Sequence, residues 1–213
     1  MQETIRQIEK NKIIVIVRGV EREKLIPLAQ AMYDGGIRLV EFTYDTSAKI
    51  SDEEIAENIR MVAEYFDGKM VVGAGTVLTE KQVELTKNAG GKFIISPDTY
   101  PDVIKKTKES GLVSIPGAFS PTEVSMAKRL GADFVKVFPI NYLGSRYIKD
   151  LKAPLSHAKL LAVGGITSDN LCEYLEAGAS GVGIGSGVVN KAKIAENDWA
   201  SITEYARSYT EKI

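Results

Sequence analysis

From Ser120 to Pro139 the chain reads SPTEVSMAKRLGADFVKVFP, and this stretch holds one complete unit of the fold. Ser120 followed by Pro121 is a helix start, a hydroxyl cap with proline just inside it. The helical pattern runs to Leu130, and Gly131 stands where a left-handed C-cap ends a helix. Phe134 to Pro139 is then apolar on both faces of an extended chain, the signature of a parallel strand covered on both sides. One residue breaks that strand. Lys136 places an ammonium among valines and phenylalanines, which is unfavourable unless something uses it.

The same alternation extends in both directions. Apolar, β-branched runs cover Ile13–Arg18, Leu39–Tyr44, Met70–Val77, Phe93–Pro97, Val113–Ala118, Phe134–Pro139, Leu160–Ile166 and Gly181–Val188. Amphipathic stretches lie between them, at Glu23–Tyr33, Asp52–Tyr65, Glu80–Asn88, Tyr100–Glu109, Pro121–Leu130 and Asp169–Ala177, with Trp199–Lys212 closing the chain. Ser51-Asp52-Glu53-Glu54 is a capping box, and Thr167-Ser168-Asp169 precedes another helix. Gly35, Gly90, Gly111, Gly131 and Gly178 are expected C-caps. Eight strand–helix units in 213 residues predict a single-domain (β/α)8 TIM barrel spanning residues 1–213. A doubly wound open sheet is the alternative. No linker or low-complexity tract divides the chain.

Composition narrows the function. With 27 Lys+Arg against 28 Asp+Glu the net charge is -1, so neither nucleic acid nor an anionic membrane is an expected partner. No apolar run approaches the roughly 20 residues of a membrane helix, and the N-terminus carries no signal pattern, so the expected address is cytoplasmic. The single cysteine, Cys172, reads as a helix packing residue, and the single histidine, His157, as a loop residue. Neither they nor the acidic residues show the spacing of a zinc or magnesium site, so no metal is expected.

Barrel active sites form at the carboxyl ends of the strands. Those ends supply Arg18, Glu41, Thr43, Asp45, Thr76, Ser96-Pro97, Pro116-Gly117, Lys136, Gly164-Gly165 and Gly185-Ser186. Burial lowers a lysine pKa and frees a neutral amine to attack a carbonyl. Phe134 and Phe138 share the face of Lys136 and supply apolar surroundings. Glu41, another charge inside an apolar strand, is the candidate proton shuttle. The glycines after strands 7 and 8 are a common barrel location for phosphate, bound by backbone amides and a helix N-terminus. An outward-pointing lysine and a structural ion pair for Glu41 are the competing expectations.

In order and spacing, the strand ends resemble those of the class I aldolases that cleave 2-keto-3-deoxy-6-phosphogluconate (KDPG) and 4-hydroxy-2-oxoglutarate (KHG). The likeness includes Ile16-Val17-Arg18, Val40-Glu41-Phe42-Thr43, Gly73-Ala74-Gly75-Thr76, Ile95-Ser96-Pro97, Ile115-Pro116-Gly117, Val135-Lys136-Val137-Phe138-Pro139, Gly164-Gly165-Ile166 and Gly183-Ile184-Gly185-Ser186. It implies that Lys136 forms an imine with pyruvate and that Glu41 is the general acid/base. It also implies that Thr76 holds the pyruvyl portion, that Arg18, Pro97 and Phe138 line the site, and that Gly164, Gly165, Gly185 and Ser186 cradle a phosphate. The family is typically homotrimeric and uses no metal or cofactor. Two departures stand out. Asp45 replaces a carboxylate-binding arginine, where an acid would repel the substrate, and Ala162-Val163 replaces Pro-Thr before the glycine pair, losing a hydroxyl.

The expected function is therefore a class I aldolase that splits KDPG into pyruvate and glyceraldehyde 3-phosphate, with KHG as a further substrate. An aldolase for another 2-oxo acid, a phosphosugar isomerase or epimerase, and a non-catalytic barrel binding a phosphometabolite or a protein are the alternatives.

Overall fold

The computed structural model describes residues 1–213. Eight parallel strands form the barrel: β1 (Ile13–Val17), β2 (Leu39–Thr43), β3 (Val71–Gly75), β4 (Phe93–Ile95), β5, β6 (Val135–Val137), β7 (Leu160–Val163) and β8 (Gly181–Ile184). β5 comes in two pieces, Val113–Ile115 and Gly117–Ala118, so the nine hydrogen-bonded segments are eight barrel strands. Pro116 separates the pieces because it has no N–H to continue the ladder. Its carbonyl still accepts the Lys136 N–H at 2.8 Å. The first piece of β5 pairs with β4 and the second with β6, which closes the ring. The TIM barrel read from the sequence is the fold observed, and the open doubly wound sheet is not.

Ten helices accompany the strands: α1 (Gln2–Asn11), α2 (Arg22–Asp34), α3 (Asp52–Tyr65), α4 (Glu80–Asn88), α5 (Pro101–Glu109), α6 (Pro121–Arg129), α7 (Gly144–Lys152), α8 (Leu171–Glu176), α9 (Lys191–Ala195) and α10 (Trp199–Thr210). Capping boxes start α3 at Ser51 and α6 at Ser120, as expected, and a third starts α4 at Thr79. Three helices escaped the sequence reading: α1, α7 and α9. One C-cap expectation is corrected, since Gly35 has φ -83° and the left-handed residue is Gly36 at φ 92°. The helix expected to begin at Asp169 begins at Leu171. Before it, the Asn170 side chain folds back onto Thr167 N and Gly165 O, holding a turn.

Burial divides into two layers. A cluster of 50 residues fills the space between strands and helices, while a cluster of 10 lies mostly inside the barrel. Most hydrophobic stabilisation therefore comes from the outer layer, so polar groups are tolerated inside. Ile14, Leu39, Phe93, Ile95, Val113, Ile115, Phe134, Leu161 and Val163 form the inner cluster with Ile8 of α1. Ile5 packs against them, so the missed helix α1 stoppers the amino end of the barrel. Phe93 spans the interior because β3 has Gly73 beside it; a Cβ there would lie 2.6 Å from the Phe93 Cγ. No helix is long and apolar enough to cross a membrane.

Candidate active site

The pleat of β6 sends Phe134 and Lys136 inward and Val135 and Val137 to the helix layer. Phe134 is fully buried beneath the lysine, as expected. Phe138 departs from expectation: it lies beyond the strand and is 39% exposed. It still contributes, with its ring 4.6 Å from Lys136 Nζ. The lysine itself is buried, which disposes of the outward-pointing alternative.

Glu41 comes inward from β2, between Leu39 and Thr43, and is 2% exposed. β3 makes space for it, because Gly75 has no side chain where the Glu41 carboxyl lies. Glu41 and Lys136 line one narrow cavity with Ile14, Ile16, Ile95 and Val163. They form no ion pair, and Glu41 makes none with Arg18, so the structural-pair alternative does not hold. Glu41 Oε2 is buried without a hydrogen-bond partner. A buried acceptor left unsatisfied is unfavourable, and such groups gather where chemistry needs them.

The electrostatics follow from this burial. Desolvation raises the Glu41 pKa to about 7, against the opposing pull of Lys136 and Arg18. Burial likewise lowers the Lys136 pKa, partly offset by Glu41 and reinforced by Arg18. A carboxyl that titrates near neutrality beside a lysine held below its ordinary value can pass protons in either direction.

The rim collects most of the remaining expected residues. Arg18, past the end of β1, donates from Nη2 to Thr76 Oγ1 at 2.9 Å. Thr76 has φ 56°, a left-handed backbone rarely adopted by a branched residue and a form of strain found at functional sites. Pro97 is half-buried at the end of β4, where its carbonyl crowds Gly117 so closely that a Cβ there would overlap it.

The two glycine turns sit at the ends of β7 and β8. Gly185 and Ser186 line a cavity of about 540 Å³ with Arg18, Val189, Asn190 and Lys191. The N–H groups of Gly164, Gly165, Gly185 and Ser186 donate to no backbone acceptor, leaving four donors free. Gly164 and Gly165 do not line that cavity; they have φ of 108° and 68° and lie against Pro139, Ile140 and Asn141. The expected helix N-terminus is altered as well. α9 has only five residues, and Asn190 Oδ1 already accepts from Ala192 N at 3.1 Å and Lys193 N at 3.2 Å.

The Asp45 carboxylate is held by the backbone of its own loop. Its Oδ1 accepts from Ser47 N and Oγ, and its Oδ2 from Lys49 N and Ile50 N. Those bonds, led by Ser47, hold its pKa at about 2. The carboxylate ties down the β2–α3 loop, which borders a cavity of about 220 Å³ with Arg18 and Thr43. Lys49, Asn190 and Lys191 are rim residues that the sequence reading missed. Asn190 carried a readable signal as a helix cap, but α9 is too short to show periodicity.

His157 is exposed in a turn, and Cys172 on α8 faces the Lys212 carbonyl at 3.7 Å. No group of three or more His, Cys, Asp or Glu side chains is placed to hold a metal ion. A surface recess of about 410 Å³, with Arg60, Asp67 and Lys92, lies at the amino end of the strands, away from Lys136.

Comparison with known proteins follows the same lines. A family model described as KDPG and KHG aldolase matches residues 4–205. The 2-dehydro-3-deoxy-6-phosphogalactonate aldolase of Escherichia coli K12 is 30% identical over 205 residues, covering 96% of this chain and 97% of that one. The 2-dehydro-3-deoxy-phosphogluconate aldolase of Treponema pallidum is 33% identical, covering 92% and 90%. A crystal structure of KDPG aldolase from Legionella pneumophila, with pyruvate captured as a covalent carbinolamine, superposes with a TM-score of 0.84 at 29% identity, covering 93% of this chain and 94% of that one.

Proposed function

The chain belongs to the KDPG and KHG aldolase family, and from that premise we propose that it reversibly cleaves a 2-keto-3-deoxy-6-phospho sugar acid into pyruvate and glyceraldehyde 3-phosphate. It is a KDPG/KHG-type aldolase, a carbon–carbon lyase. The observation that carries the reading is the pair Lys136 and Glu41, buried on one cavity without neutralising each other by contact.

In this mechanism Lys136 Nζ attacks the C2 carbonyl to give a carbinolamine. Glu41 donates a proton to the departing hydroxyl, and water leaves as the iminium forms. The Glu41 carboxylate then takes the C4 hydroxyl proton, directly or through water, and the C3–C4 bond breaks. Its electron pair flows into the iminium and leaves an enamine, while C4 becomes the aldehyde carbon. Protonation at C3 and hydrolysis release pyruvate and restore the amine. Thr76 and Arg18 hold the pyruvyl end, Pro97 and Phe138 border it, and the amides of Gly185 and Ser186 serve the phosphate, with those of Gly164 and Gly165 on the neighbouring turn. The free N–H groups support that last assignment.

Borohydride trapping tests the scheme. Incubation with pyruvate and borohydride followed by peptide mass mapping is expected to find a reduced pyruvyl adduct on Lys136. No adduct, under conditions that label a control aldolase, rejects it.

The C4 epimer is a second reading of the substrate. Val163 is buried on the Lys136 cavity and offers a C4 hydroxyl no hydrogen bond, and one of the relatives is named for the galactonate compound. Cleavage rates for the two epimers and for KHG decide between them. The same reading includes a cytoplasmic address and a homotrimer, the latter supported by exposed Phe119, Met126, Tyr142 and Leu143 around α6 and α7. Sedimentation equilibrium measures the stoichiometry.

A further inference from the structure

A phosphate monoester carries close to two negative charges at neutral pH, roughly −1.5 to −2. The turn amides of Gly185 and Ser186 offer only partial charges, and the first amides of α9 are taken by Asn190. Any full positive charge beside those amides comes from side chains. The 540 Å³ cavity presents two, Arg18 and Lys191. Arg18 has a partner in Thr76, and its charge also acts on Glu41 and Lys136. Lys191 has none of these ties.

Lys191 is exposed and forms neither a salt bridge nor a side-chain hydrogen bond. Its Nζ lies 3.8 Å from the Cβ position of Gly19, the residue after Arg18. The ammonium thus reaches from α9 to the β1–α2 turn, between this cavity and the recess that Gly19 and Lys191 also line. Nearby lysines are occupied otherwise. Lys24 bonds Asn197 Oδ1, and Lys193 pairs with Glu196 at 3.3 Å and Asp198 at 3.0 Å. Glu21 borders the recess on the far side of Lys191 without forming an ion pair with it.

We infer that Lys191 is the specificity-determining cation of this site, pairing with the substrate's terminal phosphate and distinguishing phosphorylated from unphosphorylated 2-oxo acids. The inference rests on the aldolase reading given above, and it assigns the charge to the side chain of α9 instead of to its helix end. The ammonium acts as a point charge whose neighbours do not already neutralise it.

Calorimetric titration with glycerol 3-phosphate reads this interaction without catalysis. Lys191→Ala should weaken binding roughly tenfold, Lys191→Arg should restore most of it, and Lys24→Ala should match the unmodified protein. Lys191 is exposed, so these variants should fold, and circular dichroism checks that. In cleavage assays, Lys191→Ala should lower the preference for a phosphorylated over a dephosphorylated substrate by a similar factor. Binding by Lys191→Ala within twofold of the unmodified protein, an equal loss for both substrates, or no binding of glycerol 3-phosphate by the unmodified protein would each overturn the inference. Borohydride trapping on the unmodified protein separately decides the aldolase reading, so the two can fail independently.

Discussion

Gly75 on β3 is the floor on which the Glu41 carboxyl rests: a Cβ at Gly75 would overlap Oε1 and lie 2.6 Å from Cδ. The glutamate is therefore positioned by an absent side chain as much as by its own strand. Gly75→Ala should displace the carboxyl and lower kcat/KM by about 10²-fold, the scale expected when a general acid/base is misplaced. Trapping of pyruvate on Lys136 should slow, because Glu41 also assists dehydration, but should still reach completion, so the final extent of trapping against turnover is the measurement. Unchanged turnover in a folded Gly75→Ala protein would refute the geometry.

Glu41 also sets a pH dependence. Its pKa is about 7 when folded against an ordinary 4.5, so the folded state binds the proton more tightly. Stability from this group is fully present below pH 4.5 and is lost as pH rises to about 7, then levels off. The loss is at most about 3 kcal/mol. Melting temperatures of the wild type and Glu41→Gln, compared across that window, should diverge in favour of the variant as pH rises. The kcat profile should show a limb near the same pKa, absent in Glu41→Gln.

Burying Lys136 and Glu41 without a direct ion pair favours function over stability. The double variant Lys136→Met/Glu41→Leu removes both charges together and should melt roughly 5 °C higher while losing all activity. Scanning calorimetry measures the shift. An unchanged or lower melting temperature would show that the two groups stabilise each other across the cavity.

Asp45→Asn should loosen the loop over Thr46–Ile50, because an amide gives back one acceptor oxygen of the two that now hold that backbone. Hydrogen exchange at Ser47, Lys49 and Ile50 should quicken, and KM should rise several-fold with little change in melting temperature. Asp45→Arg should show the same loss, since a cation there also releases the loop. An improved pyruvate affinity in Asp45→Arg would instead restore the repulsion argument.

These contrasts show what was legible in the sequence. All eight strands were, because doubly covered strands are apolar throughout and glycines punctuate them. Lys136 and Glu41 were conspicuous for the same reason, as charges where none is expected. α7 had a signal, with Tyr147, Ile148 and Leu151 at helical spacing, but it follows a loop rich in turn residues. α1 resembles a polar tail until the barrel is built, since only Ile5 and Ile8 commit it to the interior. The loop-holding role of Asp45 was not legible. Residue type gives a charge, but only the fold shows which backbone amides bond it.

The stopper formed by Ile5 and Ile8 makes the barrel a blind well rather than a conduit. In the proposed reaction, reactant and both products would share one doorway, with Lys136 at its depth and the glycine turns nearer the rim. The fragment held at the rim must depart before the one attached below. Ordered release, aldehyde first and pyruvate last, is thus a property of the well's shape, independent of the relative affinities of the two products.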